Sequence, residues 1–215
     1  MIDLIIFDLD GVLVDTEHIH YGALCRSINE ITDLSYDEIR KSIRTDGSTT
    51  KSKLKILKSI YDFTDDICNQ INTLKQESAL KEFVHLTPNI NQIKMLSTLS
   101  KKYKLAIGSN SRKANVDAII NAINIRNFFS SIISIDDINI EKPDPAIFNH
   151  IMNSLKTDKT RTLILEDSPR GIEAAQRTGA HVLTTSIDLI TLEYIENAIR
   201  EIETNDYCSD GRLRI

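Results

Sequence analysis

Apolar positions along this chain follow two rhythms. Five short runs, Leu4–Phe7, Lys104–Ile107, Ser131–Ile135, Thr162–Leu165 and Val182–Thr185, are rich in aliphatic and β-branched residues, and loop-forming residues follow each. Between the later runs the spacing turns helical, as in Val116, Ile119, Ile120 and Ile123, and again in Ile147, Ile151 and Leu155. Pro169 suits the first turn of a further helix, and Gly179 suits its C-terminal end. A last helix is expected from about Asp188 to Glu203, with Leu192, Ile195, Ile199 and Ile202 on one face. Thr204–Ile215 is polar and without period, which reads as a loosely held tail. Alternating strands and helices predict a parallel α/β sheet covered on both faces.

The stretch from Asp15 to Lys104 breaks this alternation, because it is far longer than a crossover needs. Helical spacing over Tyr21–Ile31, Ser35–Ile43, Ser52–Tyr61 and Asp65–Phe83 fills it, and no strand run intervenes. The expected organisation is a discontinuous α/β core, residues 1–15 and 87–215, interrupted by an all-helical insertion at 16–86.

Composition narrows the function classes. The 215 residues are 41% hydrophobic and 27% charged with a net charge of -5, so the chain has the electrostatic footprint of neither a nucleic-acid binder nor a protein drawn to anionic membranes. Cys25, Cys68 and Cys208 are scattered, which favours neither a disulfide framework nor a zinc site. Asp3, Asp8 and Asp10 interrupt the N-terminal apolar run, so no signal peptide is expected. The expectation is a cytoplasmic monomer acting on a small phosphorylated metabolite, for the following reasons.

Asp8 and Asp10 sit where the first strand ends, one residue apart and so on one side of it, and Gly11 lets the chain turn sharply after them. An Asp-x-Asp-Gly surface turn would look the same. A second strand ending in acids, Thr162–Leu165 followed by Glu166-Asp167, changes the balance: two acidic strand ends in one sheet repel unless they hold a hard cation such as Mg²⁺. Ser109-Asn110-Ser111 ends another strand, and Glu141-Lys142-Pro143-Asp144-Pro145 places a lysine in a stiff loop. A carboxylate, a hydroxyl, a lysine and a metal make a phosphoryl site. Asp8 is placed to attack phosphorus, Ser109, Lys142 and Mg²⁺ to hold its oxygens, and Asp10 to move protons.

The order DLDGVLVDTE, SNS, KPDP and EDSPRGIEAA resembles the haloacid dehalogenase superfamily, in its helical-cap branch of phosphatases and β-phosphoglucomutase-like enzymes. The resemblance is close over residues 1–25 and 87–186 and loose in the insertion. It implies a Rossmann-like sheet of order 5-4-1-2-3, and Mg²⁺ held by the Asp8 carboxylate, the Asp10 carbonyl and Asp167, with Glu166 close by or acting through water. It also implies substrate or phosphate contacts from Ser109, Asn110, Lys142, Thr16 and His20. True dehalogenases lack the second aspartate of the pair, whereas this chain has Asp10. Two departures stand out. Pro88-Asn89 replaces a usual Pro-Gly, with Asn89 expected to tolerate positive φ, and the insertion loop reads Asp46-Gly47-Ser48-Thr49-Thr50-Lys51.

Phosphate ester hydrolysis is the first expectation, a phosphosugar mutase the alternative, and a catalytically silent binding relative the third. His20 stands where mutases have a histidine near the hinge, and a plain helix residue would fit there equally. Lys75 matches a mutase lysine but lies on a polar helix, which favours a solvated side chain. Arg40, Lys41, Arg44, Lys51 and Lys53 read as a solvated face rather than a phosphate clamp.

Overall fold

The computed structural model describes residues 1–43 and 49–204. Five parallel strands, β1 (Leu4–Phe7), β2 (Lys104–Gly108), β3 (Ser131–Ile133), β4 (Thr162–Glu166) and β5 (His181–Thr184), form one sheet in the order β3-β2-β1-β4-β5. This is the expected order. β1 lies at the centre, with Phe7 in register with Ile107 on one side and Leu165 on the other.

Strand side chains alternate between two helical layers. Ile5, Phe7, Leu105, Ile107, Leu163 and Leu165 pack with α5 (Ile90–Leu99), α6 (Lys113–Ala122) and α10 (Leu192–Glu203). Leu4, Ile6, Ala106 and Ile164 face α8 (Ala146–Ser154) and α9 (Pro169–Thr178). Being apolar on both faces, β1 is fully buried, as a central parallel strand must be.

Between β1 and β2 stand α1 (Glu17–Thr32), α2 (Tyr36–Ser42), α3 (Thr50–Tyr61) and α4 (Asp65–Phe83). They enclose their own apolar cluster, including Leu24, Ile28, Ile39, Leu54, Leu57 and Ile71. Ile19, Ala23, Ala79 and Phe83, at the roots of α1 and α4, belong instead to the main core. Among the described residues no helix is long and apolar enough to cross a membrane.

Local signals explain the boundaries. Pro169 opens α9 behind the Ser168 N-cap, and Gly179 closes it at φ 74°. Two expectations are corrected. Asn89 has φ -90°, not positive: its side chain accepts from the amides of Asn91 and Gln92, so it serves as the N-cap of α5. The last helix begins at Leu192 rather than Asp188, because Thr191 accepts from Tyr194 N and caps it there. Arg44, the Asp46–Ser48 part of the insertion loop and residues 205–215 of the tail lie outside the described residues.

Candidate active site

The carboxyl ends of β1, β2 and β4 meet around Lys142. Its ammonium donates to Asp8 Oδ1 at 2.6 Å, Glu166 Oε1 at 2.5 Å and the Gly108 carbonyl at 2.8 Å, which uses all three of its protons. Lys142 is 3% exposed and Glu166 0%, so this is a buried charge cluster. Burial alone would lower the lysine pKa, but the charges of Asp8 and Glu166 outweigh it and raise it. The Lys142 backbone is clamped as well. Its amide donates to Asn110 Oδ1 at 3.0 Å, and its carbonyl accepts from Arg170 Nε and Nη2 at 3.0 and 2.6 Å.

Positive charge is in short supply here. Asp8, Glu166 and Asp167 each bring an oxygen within 4.8 Å of the others, against one ammonium. Burial pushes the Asp8 pKa well up, and the charges of Glu166 and Asp10 add to this against Lys142. Burial and Glu166 likewise push Asp167 up to about 6. Asp167 Oδ1 is buried without a partner. An all-oxygen cluster with surplus negative charge and an orphaned oxygen fits a hard divalent cation.

Two glycines make room for these carboxylates. A Cβ on Gly11, whose φ is +93°, would lie 2.1 Å from Asp167 Oδ2, and one on Gly171 would lie 2.1 Å from the Glu166 carboxyl group.

Asp10 occupies a different setting, with its carboxylate held by hydroxyls rather than by Lys142. It accepts from Ser111 Oγ at 2.8 Å, from Thr16 Oγ1, and from Ser109 Oγ at 3.5 Å. His20 Nε2 lies 3.5 Å from Asp10 Oδ1, and His20 Nδ1 pairs with Lys75 Nζ at 2.9 Å. An ammonium only donates, so His20 Nδ1 accepts and its Nε2 carries the proton toward Asp10. Burial would raise the Asp10 pKa, but the His20 contact and the Thr16 and Ser111 hydroxyls hold it far below the usual range. Asp10 is anionic in this arrangement.

Lys75 is a correction to the sequence reading. It is 3% exposed rather than solvated, because α4 packs against α1 and α6 and turns this position inward. Its pKa falls to about 8, mainly through burial, with Lys53 and Arg112 adding repulsion and Asp10 opposing. Arg40, Lys41 and Lys51 are exposed as expected, Lys51 at the edge of the site cavity, whereas Lys53 is half-buried in its wall. Sequence reasoning also passed over Ser111 and Arg170. Both stood inside quoted motifs, Ser111 in Ser-Asn-Ser and Arg170 in EDSPRGIEAA, but their contacts with Asp10 and with the Lys142 loop come from other elements and left no local signal.

The cavity measures about 790 Å³, within the usual range for small-ligand sites, and the insertion and the sheet end share its walls. Among the described residues the buried side-chain polar atoms without a hydrogen bond are His20 Nε2, which only approaches Asp10 Oδ1 at 3.5 Å, Asn115 Oδ1, Glu141 Oε2 and Asp167 Oδ1, and all four residues line this cavity. Unsatisfied polarity is thus concentrated in this one cavity, as in a candidate binding site.

A family-wide sequence profile, haloacid dehalogenase-like hydrolase, matches residues 5–185. The chain belongs to this family. It is 24% identical over 179 residues to a phosphorylated carbohydrates phosphatase of Thermotoga maritima, covering 82% of each chain. It is 26% identical over 177 residues to a fructose-1-phosphate phosphatase of Escherichia coli, covering 81% of this chain and 92% of that one. Its fold is similar to a β-phosphoglucomutase from Clostridium difficile, with TM-score 0.79 and 21% identity over 95% of this chain and 100% of the other.

Proposed function

We propose that this protein is a Mg²⁺-dependent phosphatase that hydrolyses a small sugar or polyol phosphate through an aspartyl phosphate on Asp8. The observation that carries the reading is the division of labour between the two aspartates. Asp8 is bound to the lysine in the charge cluster, while Asp10 is held by hydroxyls and an imidazole beside it. The names of the Thermotoga and Escherichia relatives support the substrate class.

An Asp8 oxygen attacks phosphorus and the bond to the leaving oxygen breaks, with Asp10 supplying the proton that makes an alcohol. Water then attacks the acyl phosphate and gives its proton to Asp10, and the bond from phosphorus to Asp8 breaks to release phosphate. The anionic Asp10 seen here is the form that takes the proton from water. To act as the acid of the first step it must leave Thr16 and His20, whose contacts suppress its protonation. Lys142 and Ser109 hold the phosphoryl oxygens as charge redistributes. Asp8 and Asp167 would hold Mg²⁺, with Glu166 as the third acid of the cluster and the Asp10 carbonyl as the ligand expected from the resemblance. The ion supplies positive charge to the phosphoryl group.

The pairing of buried Lys75 with half-buried His20 at the cavity wall favours a phosphosugar mutase as the second reading. Both readings meet one experiment, release of inorganic phosphate from a panel of sugar, polyol and nucleotide monophosphates with and without Mg²⁺. Wild type should release phosphate, and EDTA or Asp8→Asn should abolish the release. Isomerised sugar phosphate without release would transfer the assignment to the mutase, and activity surviving in Asp8→Asn would remove Asp8 as nucleophile.

A further inference from the structure

The loop that carries Lys142 touches the helical insertion through the residue just before the lysine. Glu141 Oε1 accepts from Ser52 Oγ at 2.5 Å, and Ser52 lies in the first turn of α3. Thr49, the N-cap of α3, stands beside the Glu141 carboxylate, which therefore faces the positive end of a 12-residue helix. On the core side, Arg170 Nη2 lies 3.5 Å from Glu141 Oε1 while the same guanidinium grips the Lys142 carbonyl. Burial would raise the pKa of Glu141, but Ser52, Thr49 and Arg170 hold it below the ordinary value, so the contact is charge-assisted. Its other oxygen, Oε2, is buried without a partner. That unmet acceptor leaves part of the carboxylate's desolvation cost uncompensated.

We propose that Glu141 is a positioning residue that couples the seating of α3 on the core to the placement of Lys142 against Asp8. The side chain of Glu141 answers to the insertion, and its peptide bond leads into the lysine that three acceptors and Arg170 hold in place. A substrate that draws α3 onto the sheet end would thereby tighten the lysine where charge develops. The proposal rests on the phosphatase reading of this site.

The test is a double-variant cycle on kcat and KM, using the best ester of the panel and Ser52→Ala, Glu141→Ala, their combination and Glu141→Gln, with thermal midpoints to verify folding. Glu141→Ala should lower kcat about 10- to 100-fold while KM stays within about twofold. Glu141→Gln, which still accepts from Ser52, should recover most of the loss. Ser52→Ala should lower kcat in the wild-type background and have no further effect in Glu141→Ala. Losses that multiply, or a raised KM with kcat intact, would overturn the coupling. Backbone hydrogen exchange gives a readout that needs no activity. Exchange over Thr50–Leu57 should quicken about tenfold in Glu141→Ala, with Lys113–Ala122 unchanged, and unchanged exchange in α3 would refute the proposal. If wild type releases no phosphate yet α3 loosens, the phosphatase reading falls and the seating of α3 by Glu141 stands.

Discussion

The rim of the sheet and the interior of the helical insertion are held by opposite means. At the rim, Lys142, Asp8 and Glu166 are buried together, and the lysine is the shared partner that both carboxyl groups depend on. Inside the insertion, Leu24, Ile28, Ile39, Leu54, Leu57 and Ile71 pack by shape with no charge among them. Burying an ion cluster is at best weakly stabilising, whereas burying leucines is the main driving force of folding. The rim therefore spends stability on chemistry, and the insertion supplies stability while lending the site one wall. Lys75 is the exception, a rim-like residue set into an insertion helix.

The largest effect should come from the rim. Lys142→Met leaves Asp8 and Glu166 without their cation, so kcat/KM should fall about 10²–10³-fold and unfolding should become easier by about 3 kcal/mol. An unchanged urea midpoint would show that the lysine does not hold the rim together. Next comes Leu57→Ala, a fully buried side chain of the insertion. It should cost about 3 kcal/mol in urea unfolding and leave kcat within about twofold below the new midpoint. A large fall in kcat at full folding would erase the contrast between the regions.

The smallest effect concerns Lys75. Its folded pKa of about 8 lies below the ordinary 10.5, so between those values the unfolded chain holds a proton that the folded one has released. Stability contributed at this position therefore rises with pH across that window. Lys75→Met should be the more stable protein at pH 7 by about 2 kcal/mol, with the gap closing toward pH 10. A gap that does not change with pH would show that burial of the charge is not what Lys75 costs.

What could be read in advance follows the same division. The strand order came only with the resemblance that the motifs carry, whereas the acidic strand ends were legible because the residues that matter stand next to one another, as in Asp8-Leu9-Asp10-Gly11 and Glu166-Asp167. The partners that tune them were not, because each arrives from another element. Arg170 reaches Lys142, and Lys75 reaches His20, across long stretches of chain. A lysine on a polar helix and a buried one look alike until the packing of α4 on α6 is known. Asn89 misled for a local reason: asparagine suits both a left-handed turn and an N-cap, and only the backbone decides between them.

The lower turns of α1 and α4 carry a consequence for engineering. Ile19, Ala23, Ala79 and Phe83 are counted in sequence with the insertion but are packed in the core around Phe7, Val116 and Ile120. Exchanging insertions between relatives by cutting at the chain crossings would tear aromatic and aliphatic side chains out of the receiving molecule and replace them with strangers. A graft cut one or two turns further out, above Ala23 and below Lys75, would carry over the insertion's own apolar cluster and its share of the cavity wall, and leave these core side chains with their own sheet.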